Sequence, residues 1–354
     1  MRKIFYFLFL LLGCSKRVED IKTIKIDVTE SPVYLSDIVS CVNYIELETR
    51  NECLVGDIDK IIYYRGRFYI LDRNITRTLY VFDTLGKFKF KIHKIGTGPG
   101  EYIQPDDFIL DTLNRDIVFV DVERRKIIKY DLHSGNFKSE FSVNFIPYCA
   151  GLIKNGFVFY TNYVPSSFGS YNLIFTDSNL KIKNLMFPFD LDENLPKIAP
   201  QTVFSNVGDS LIFIPVFQDT IYTIFNNGLK PRYFIDFGKL SIINFLKKRY
   251  WGSSFYEFIK EFAFLKQSYL ETPKLIYFAF VYNNFVFHVF VNKNNWNVKS
   301  SKTIINNIDK MPFGLPKCVF DNHIVGVISP YQSFTGDKVE SLKNPILAVY
   351  NISW

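Results

Sequence analysis

The stretch most suggestive of chemistry is the glycine-rich segment Gly96–Tyr102, GTGPGEY. Loops of this kind cradle phosphates on their backbone amides when a Lys-Ser or Lys-Thr pair follows and opens a helix. Here Glu101 and Pro105 follow instead, and no helical pattern begins. Because glycine reaches positive φ at no steric cost, we predict a tight turn and no nucleotide site.

A second stretch, Asp190-Leu-Asp192-Glu-Asn194, has the opening spacing of an EF-hand calcium loop. That loop requires glycine at its sixth position and glutamate at its twelfth, where this chain has Leu195 and Gln201, so a solvated acidic loop is predicted. The histidines are scattered and form no HExxH pair, and the one inside the run FVFHVFV is expected to pack within a strand. They are His93, His133, His288 and His323. No cofactor is predicted.

Three aspartates at or beside the ends of predicted strands leave two interpretations open: Asp72, Asp121 and Asp219. Carboxylates from several sheets can converge on one ion, which is the geometry of a metal-dependent enzyme. Aspartates at strand ends also accept hydrogen bonds from backbone amides and so stabilise turns. No GxSxG nucleophile elbow accompanies them, so no catalytic residue is assigned.

The composition shows which elements must position such residues. The chain has 354 residues, of which 48% are hydrophobic and 18% aromatic, with 37 Phe and 22 Tyr. At 22% charged residues it can bury a large core, which excludes intrinsic disorder and a coiled coil. The formal charge of +7 permits binding to an anionic partner without identifying one.

The first residues indicate the compartment. Arg2 and Lys3 precede an apolar run, Ile4–Leu12, that is shorter than the roughly 20 residues needed to span a bilayer. Leu11-Leu12-Gly13-Cys14 resembles the lipobox of bacterial lipoproteins, in which the cysteine is lipidated after cleavage. We therefore predict a signal peptide at 1–13 and a lipidated Cys14 that anchors the protein to the outer membrane, on either its periplasmic or its surface side. Cys41 and Cys53 either form a disulfide or remain buried thiols. Cys149 and Cys318 are expected to be buried thiols.

The rest of the chain repeats itself with a period near 48 residues. Phe68–Asp72 and Leu79–Asp83 are followed by the similar strands Ile117–Asp121 and Ile127–Asp131. Weaker copies continue to the C-terminus and make six units, a spacing typical of propeller blades. The predicted fold is all-β, a six-bladed β-propeller of four-stranded blades over residues 42–354, preceded by a tether and N-terminal strand over 14–41.

Two irregularities complete the predicted architecture. Residues 239–273 carry apolar side chains at helical spacing, including Phe258 and Phe262, and predict a short helical insertion between blades four and five. The last unit reaches only its third strand, so Val42–Leu47 is predicted to supply the fourth. Joining both ends of the chain in one blade would close the ring and leave no open sheet edge.

The stretch Gly96–Asp131 resembles the NHL repeat, with a glycine-rich turn, an aromatic residue, a proline and strands ending in Asp or Tyr-Asp. Together with the lipobox and the YIELET segment at Tyr44–Thr49, it makes the chain similar to the six-bladed β-propeller lipoproteins of Bacteroidetes. The resemblance implies a fold and an envelope location, and no reaction. The match is specific in the first two blades and looser afterwards.

Blade geometry brings several predicted loops to one face. The turn between the second and third strands lies on the same side as the connection to the next blade. This places there the candidate ligand-binding residues Arg73, Arg77, Arg124, Arg125, Tyr163, Gln218, Asp219 and Tyr331. Arginine pairs with carboxylates and tyrosine stacks and hydrogen-bonds, so the face suits an anionic or polyhydroxyl ligand.

Two functions are consistent with these features. The first is a lipid-anchored envelope module that binds a protein or glycan partner, contacts the membrane only through its anchor, binds no nucleic acid and catalyses no reaction. The second is a metal-dependent propeller enzyme of the lactonase or lyase type, with Asp72, Asp121 and Asp219 as candidate ligands near the central channel.

Overall fold

The computed structural model describes residues 21–29, 31–190, 200, 202–225, 228–243, 260–329 and 343–354. These residues form six antiparallel four-stranded sheets arranged as the blades of a propeller, with one added outer strand. The predicted six-bladed β-propeller is therefore confirmed. No helix in these ranges is long and apolar enough to cross a bilayer.

Three strands precede the first blade. They are β1 (Lys22–Lys25), β2 (Val33–Tyr34) and β3 (Val39–Glu46). Blade one contains β4 (Lys60–Tyr64), β5 (Arg67–Asp72), β6 (Thr78–Asp83) and β7 (Phe88–Ile92). Blade two contains β8 (Asp107–Asp111), β9 (Asp116–Asp121), β10 (Lys126–Asp131) and β11 (Phe137–Ser142). Blade three contains β12 (Cys149–Ile153), β13 (Gly156–Tyr160), β14 (Tyr171–Asp177) and β15 (Ile182–Pro188).

The second half continues the ring. Blade four contains β16 (Phe204–Val207), β17 (Ser210–Phe213), β18 (Thr220–Phe225) and β19 (Gly228–Asp236), and β1 adds to its outer edge in parallel. Blade five contains β20 (Phe264–Glu271), β21 (Leu275–Tyr282), β22 (Phe285–Asn292) and β23 (Val298–Ser301). The short β24 (Ile304–Ile305) pairs with β2. Blade six contains β25 (Leu315–Phe320), β26 (His323–Ile328), β27 (Ile346–Ile352) and β3. Single 3₁₀ turns occur at Leu35–Asp37, Asn51–Cys53 and Gly238–Leu240.

The ring closes where the sequence predicts. Strand β3 pairs antiparallel with β27, with Tyr44 opposite Ala348 and Val42 opposite Tyr350. The N-terminal segment thus supplies the fourth, outermost strand of blade six, so that β27 is paired on both sides.

The helical insertion is not found as predicted. Residues Phe264–Glu271, which were assigned to it, form the innermost strand of blade five, and residues 244–259 lie outside the described ranges. The strand pairs with β21 through two register shifts, and Ser268 has a φ of 52°. Such bulges break the two-residue alternation of side chains, which is why the segment resembles a helix in the sequence.

Aromatic side chains fill the spaces between blades. Phe119 is fully buried between Tyr102 and Tyr130, with ring centroids 5.3 and 5.1 Å away. Tyr63 of blade one meets Phe320 of blade six at 4.4 Å in an edge-to-face contact. Burying each such ring contributes roughly 1.5–3 kcal/mol, so the Phe and Tyr excess is explained by sheet-on-sheet packing.

The propeller has two faces. We call upper the face that carries the turns between second and third strands and the connections between blades, and lower the face that carries the other two turns of each blade. The innermost strands β4, β8, β12, β16, β20 and β25 surround the axis. Each innermost strand begins at the upper face, so its first residues lie at the upper mouth of the axis.

The cysteines in the described ranges are free. Cys41 is exposed, whereas Cys53, Cys149 and Cys318 are buried. The Cys53 thiol donates to the carbonyl of Glu48 at 3.1 Å. The structure therefore contains no Cys41–Cys53 disulfide, and the interpretation as buried thiols holds for Cys53, Cys149 and Cys318 but is wrong for Cys41.

Candidate functional site

Charged side chains gather at the upper mouth, where blades six, one and two meet. We call them the axial cluster: Asp57, Asp59, Lys60, Arg73, Asp106, Asp107 and Lys317. Asp59 and Lys60 stand at the start of β4, and Asp106 and Asp107 stand at the start of β8. The cluster is thus built from equivalent positions of neighbouring blades.

An ion pair joins the first two blades inside this cluster. The Lys60 ammonium lies 2.6 Å from Oδ1 of Asp107, whose side chain is almost fully buried. The other oxygen of Asp107 accepts the backbone N–H of Ala150 at 2.9 Å, which extends the connection to blade three. A charged residue held on both oxygens in this way fixes the relative position of three innermost strands.

Arg73 is the predicted site residue that lies in the axial cluster. Its backbone N–H donates to Oδ2 of Asp59 at 2.7 Å, so the start of the turn is firmly placed. Among the described residues its guanidinium makes only long contacts, 3.6 Å to Oδ1 of Asp59 and 3.5 Å to the carbonyl of Asp106. With 21% of its side chain exposed, the guanidinium can still donate to an acceptor that enters from the upper face.

The acids beside Arg73 are shifted towards their neutral form. Burial raises the pKa of Asp106 to about 6, and the neighbouring Asp121 adds to the effect. Burial also raises the pKa of Asp59, although its hydrogen bond from Arg73 opposes the shift. Near neutral pH a fraction of Asp106 carries a proton, so this carboxyl can donate as well as accept hydrogen bonds.

Lys317 enters the cluster from blade six. It lies at a register shift in the pairing of β25 with β26, between Pro316 and Cys318. Burial lowers the pKa of its ammonium, and the nearby carboxylates of Asp57 and Asp59 oppose that shift. Shifted acids and a shifted lysine in one recess are typical of binding and catalytic sites.

Two of the candidate metal ligands act as caps of backbone amides. Asp72 is fully buried and accepts four N–H groups, from Gly56 and Asp57 on Oδ2 and from Ile75 and Thr76 on Oδ1. Asp121 is equally buried and accepts the N–H groups of Ile103 and Arg124. Each carboxylate holds a turn of its own blade against the connection from the preceding blade.

Asp219 is placed differently. It is buried in blade four, where Oδ2 accepts the Ser241 hydroxyl at 2.5 Å and Oδ1 lies 3.8 Å from the ammonium of the buried Lys266. Desolvation lowers the pKa of Lys266, and Asp219 opposes that shift. Among the described residues, no three His, Cys, Asp or Glu side chains are grouped to hold a metal ion.

Arg124 organises the glycine-rich segment. Its guanidinium donates to the carbonyls of Thr97 at 2.8 Å and Glu101 at 2.9 Å, and more weakly to that of Gly96 at 3.4 Å. Gly100 has a φ of 71°, and a Cβ added there would lie 2.5 Å from the ring of Phe137. The segment is therefore an interblade turn stabilised by arginine, and the side chain predicted to bind a ligand is used within the fold.

The other predicted residues divide between surface and interior. Arg77 and Arg125 are exposed at the tips of upper-face turns, with φ values of 51° and 52°. The Tyr163 ring packs against Tyr160 and Phe217, with centroids 6.3 and 5.5 Å away. The Gln218 side chain accepts the Tyr222 hydroxyl at 3.2 Å and its carbonyl accepts Lys266. Cys14, Asp192, Asn194 and Tyr331 lie outside the described residues.

Sequence reasoning missed most of the axial cluster. A usable signal was present, because Asp59 and Asp106 each precede the first strand of a blade and accept an equivalent amide, from Arg73 and Val122 respectively. His288 is buried as expected, with Nδ1 2.8 Å from the Tyr277 hydroxyl.

Comparison with known proteins extends the fold assignment. A family model described as domain of unknown function (DUF4934) matches residues 21–351. An exported protein from Bacteroides fragilis is 18% identical with a TM-score of 0.75, over 94% of this chain and 100% of that one. A member of the DUF4221 family from Bacteroides vulgatus is 9% identical with a TM-score of 0.54, over 88% of this chain and 96% of that one. No curated protein matches the chain.

Proposed function

The chain belongs to the DUF4934 family, and from that premise we propose that it is a lipid-anchored β-propeller of the bacterial cell envelope that binds a protein or glycan partner without catalysing a reaction. The anchor is Cys14, and the membrane is the outer membrane. The similarity of the fold to an exported Bacteroides protein supports an envelope location.

The observation that carries the proposal is that Arg73 at the upper mouth has a fixed backbone and a partly exposed guanidinium. Its backbone is fixed by Asp59, while its guanidinium is partly exposed and, within the part of the chain that the structure describes, makes only contacts of 3.5 Å or longer. A group held in position but short of strong acceptors is suited to a ligand carboxylate or hydroxyl. Arg77, at the other end of the same turn, adds a second cation to the upper face.

Binding is favoured over metal-dependent catalysis by the roles of the buried aspartates. The oxygens of Asp72 and Asp121 are already acceptors for backbone amides, so moving either towards an ion would leave buried amides without partners. The lactonase- or lyase-type alternative would need ligands other than these two.

The first test is titration calorimetry of the mature protein with oligogalacturonate as an acidic glycan and with glucose oligomers as neutral ones. We expect Arg73→Gln to weaken glycan binding by about tenfold, since a charge-assisted hydrogen bond contributes about 1.5–3 kcal/mol. Arg115→Gln is the matched control, because this exposed arginine lies on the lower face. Equal weakening by both variants, or turnover of the glycan, would contradict the proposal for glycans.

A protein partner requires a second test. A photo-crosslinking amino acid is placed in cells at Arg77 or Arg125 on the upper face, and at Arg65 or Arg115 on the lower face, all four exposed with φ between 45° and 56°. A defined crosslinked species from the upper positions alone is expected. Labelling with an alkyne analogue of palmitate, abolished by Cys14→Ala, tests the anchor separately.

A further inference from the structure

The lower face carries the strongest concentration of positive charge on loop tips. The described lower-face turns contain seven cations against the acids Asp209 and Asp321; the cations are Arg65, Lys87, Arg115, Lys154, Lys181, Lys274 and Lys293. Within the described ranges, only Lys293 among them lies in an ion pair, with Glu271. Of the strand-end acids behind these turns, Asp83, Asp116 and Asp177 pair with other lysines, whereas Asp111 and Asp131 accept hydrogen bonds within their own turns.

Apolar side chains project from the same turns. Leu85 is 79% exposed and Leu113 is 82% exposed, each at the tip of a tight turn and each two residues before a cation, Lys87 or Arg115. Phe225, at the lower end of β18, is 65% exposed. Protruding apolar residues among lysines and arginines suit the boundary between lipid headgroups and acyl chains, whereas a soluble polyanion would use only the cations.

The start of the described chain points to the same face. Strand β1 runs parallel to β19, from the lower towards the upper face, with Lys22 opposite Tyr233. The Lys22 ammonium lies 4.4 Å from the ring centroid of Trp296, which belongs to a lower-face turn of blade five. The chain therefore reaches Lys22 from the lower side.

The distance to the lipidation position is compatible with this orientation. Lys22 is opposite a residue five positions along β19 from Gly228, which corresponds to about 17 Å above the lower end of that strand. Lys22 lies eight positions after Cys14, and an extended chain over eight positions spans at most about 28 Å. An acyl anchor on Cys14 can thus lie in a membrane that touches the lower face.

We propose that the lower face docks on an anionic lipid surface, which directs the upper mouth away from the membrane. The anchor of the proposed function supports the orientation, but the docking rests on the cations and leucines themselves. The fragment 21–354 contains every strand of the ring, including β1 and β3, and lacks Cys14. Its binding to vesicles therefore tests the face independently of lipidation and of any upper-face ligand.

The experiment measures co-sedimentation of this fragment, after a cooperative thermal melt has shown that it is folded. The vesicles contain phosphatidylcholine alone or mixed with phosphatidylglycerol. We expect binding to the mixed vesicles that falls with added salt. Arg65→Gln/Arg115→Gln should weaken binding by about fivefold per residue, and Leu85→Gln/Leu113→Gln by about tenfold or more as a pair.

The control is Arg77→Gln/Arg125→Gln on the upper face, which makes the same change of charge at exposed arginines with the same backbone conformation. It should bind vesicles like the unmodified fragment. Equal loss with the control, or no preference for phosphatidylglycerol, would overturn the proposal. So would Leu85→Gln/Leu113→Gln retaining full binding while oligogalacturonate competes with the vesicles, since the face would then recognise a soluble polyanion.

Discussion

Replacing Asp72 by asparagine should destabilise the propeller more than the equivalent replacement of Asp121. The two residues close the second strands of adjacent blades and are both fully buried, but Asp72 accepts four backbone amides and Asp121 accepts two. Asparagine keeps the shape of the side chain and converts one acceptor oxygen to a donor. Asp72→Asn therefore leaves two amides facing an NH₂ group, and Asp121→Asn leaves one.

The magnitude follows from that count. A hydrogen bond to a charged acceptor contributes about 1.5–3 kcal/mol, and a buried amide without a partner costs a similar amount. We expect Asp72→Asn to lower the free energy of unfolding by about 3–6 kcal/mol and Asp121→Asn by about half as much. These losses are large compared with the total stability of a typical domain, about 5–15 kcal/mol.

The assay is equilibrium unfolding in urea, followed by far-ultraviolet circular dichroism and tryptophan fluorescence, with and without EDTA. The amide-cap explanation requires that the free energy of unfolding be lowest for Asp72→Asn, intermediate for Asp121→Asn and highest for the unmodified protein. The slope of this free energy against urea concentration should be the same for all three. The explanation also requires that EDTA leave all midpoints unchanged. Equal effects of the two variants, or an EDTA-sensitive midpoint that either variant abolishes, would refute it in favour of ion binding.

Two further predictions concern buried ionisable groups in blades four and five. Lys266→Met should lower the free energy of unfolding by about 3–5 kcal/mol, because the buried Asp219 carboxylate loses the nearby ammonium and keeps its hydrogen bond from Ser241. Adding Asp219→Asn in a double-mutant cycle should restore part of this loss. Burial lowers the pKa of His288 to about 4. Between about pH 6.5 and pH 4 the imidazole is therefore protonated in the unfolded chain but not in the folded one, so about 3 kcal/mol of the free energy of unfolding should be lost as the pH falls through this range. Urea midpoints of the unmodified protein and His288→Gln should converge across that window, since glutamine can still bond the Tyr277 hydroxyl; a constant difference would count against a neutral buried imidazole.

The propeller ring could be predicted because the pattern that specifies each blade lies within a short stretch of sequence. Blades one and two repeat alternating strands that end in aspartate, and weaker copies follow at a similar period, so six units and the role of the N-terminal strand follow from counting. The first strand of blade five was missed for an equally local reason. Its two register shifts and the left-handed Ser268 remove the alternation that identifies a strand, while Phe258 and Phe262 just before it are four residues apart in the sequence and fit a helical pattern.

The axial cluster could not be predicted to the same extent, because it depends on contacts between blades. Lys60 meets Asp107 only because the first residues of two innermost strands reach the same height at the axis. A repeat period fixes which residues are equivalent within blades, but it does not fix how far neighbouring blades are rotated. The pKa of Asp106 likewise depends on burial and on Asp121, a residue of another strand.

The local surroundings of a loop arginine indicate whether it stabilises the fold or is available to a ligand. A glycine-rich turn exposes several carbonyls that no strand satisfies, and Arg124 donates to three of them. Arg73 also follows a capped strand end, but among the described residues its guanidinium reaches a single carbonyl, that of Asp106 at 3.5 Å. Both turns are capped by an aspartate, so the carbonyls within reach make the difference: an arginine that donates to several of them belongs to the fold, whereas one that reaches few is available to a ligand. By this criterion Arg73 is the upper-face arginine whose removal should alter binding more than stability.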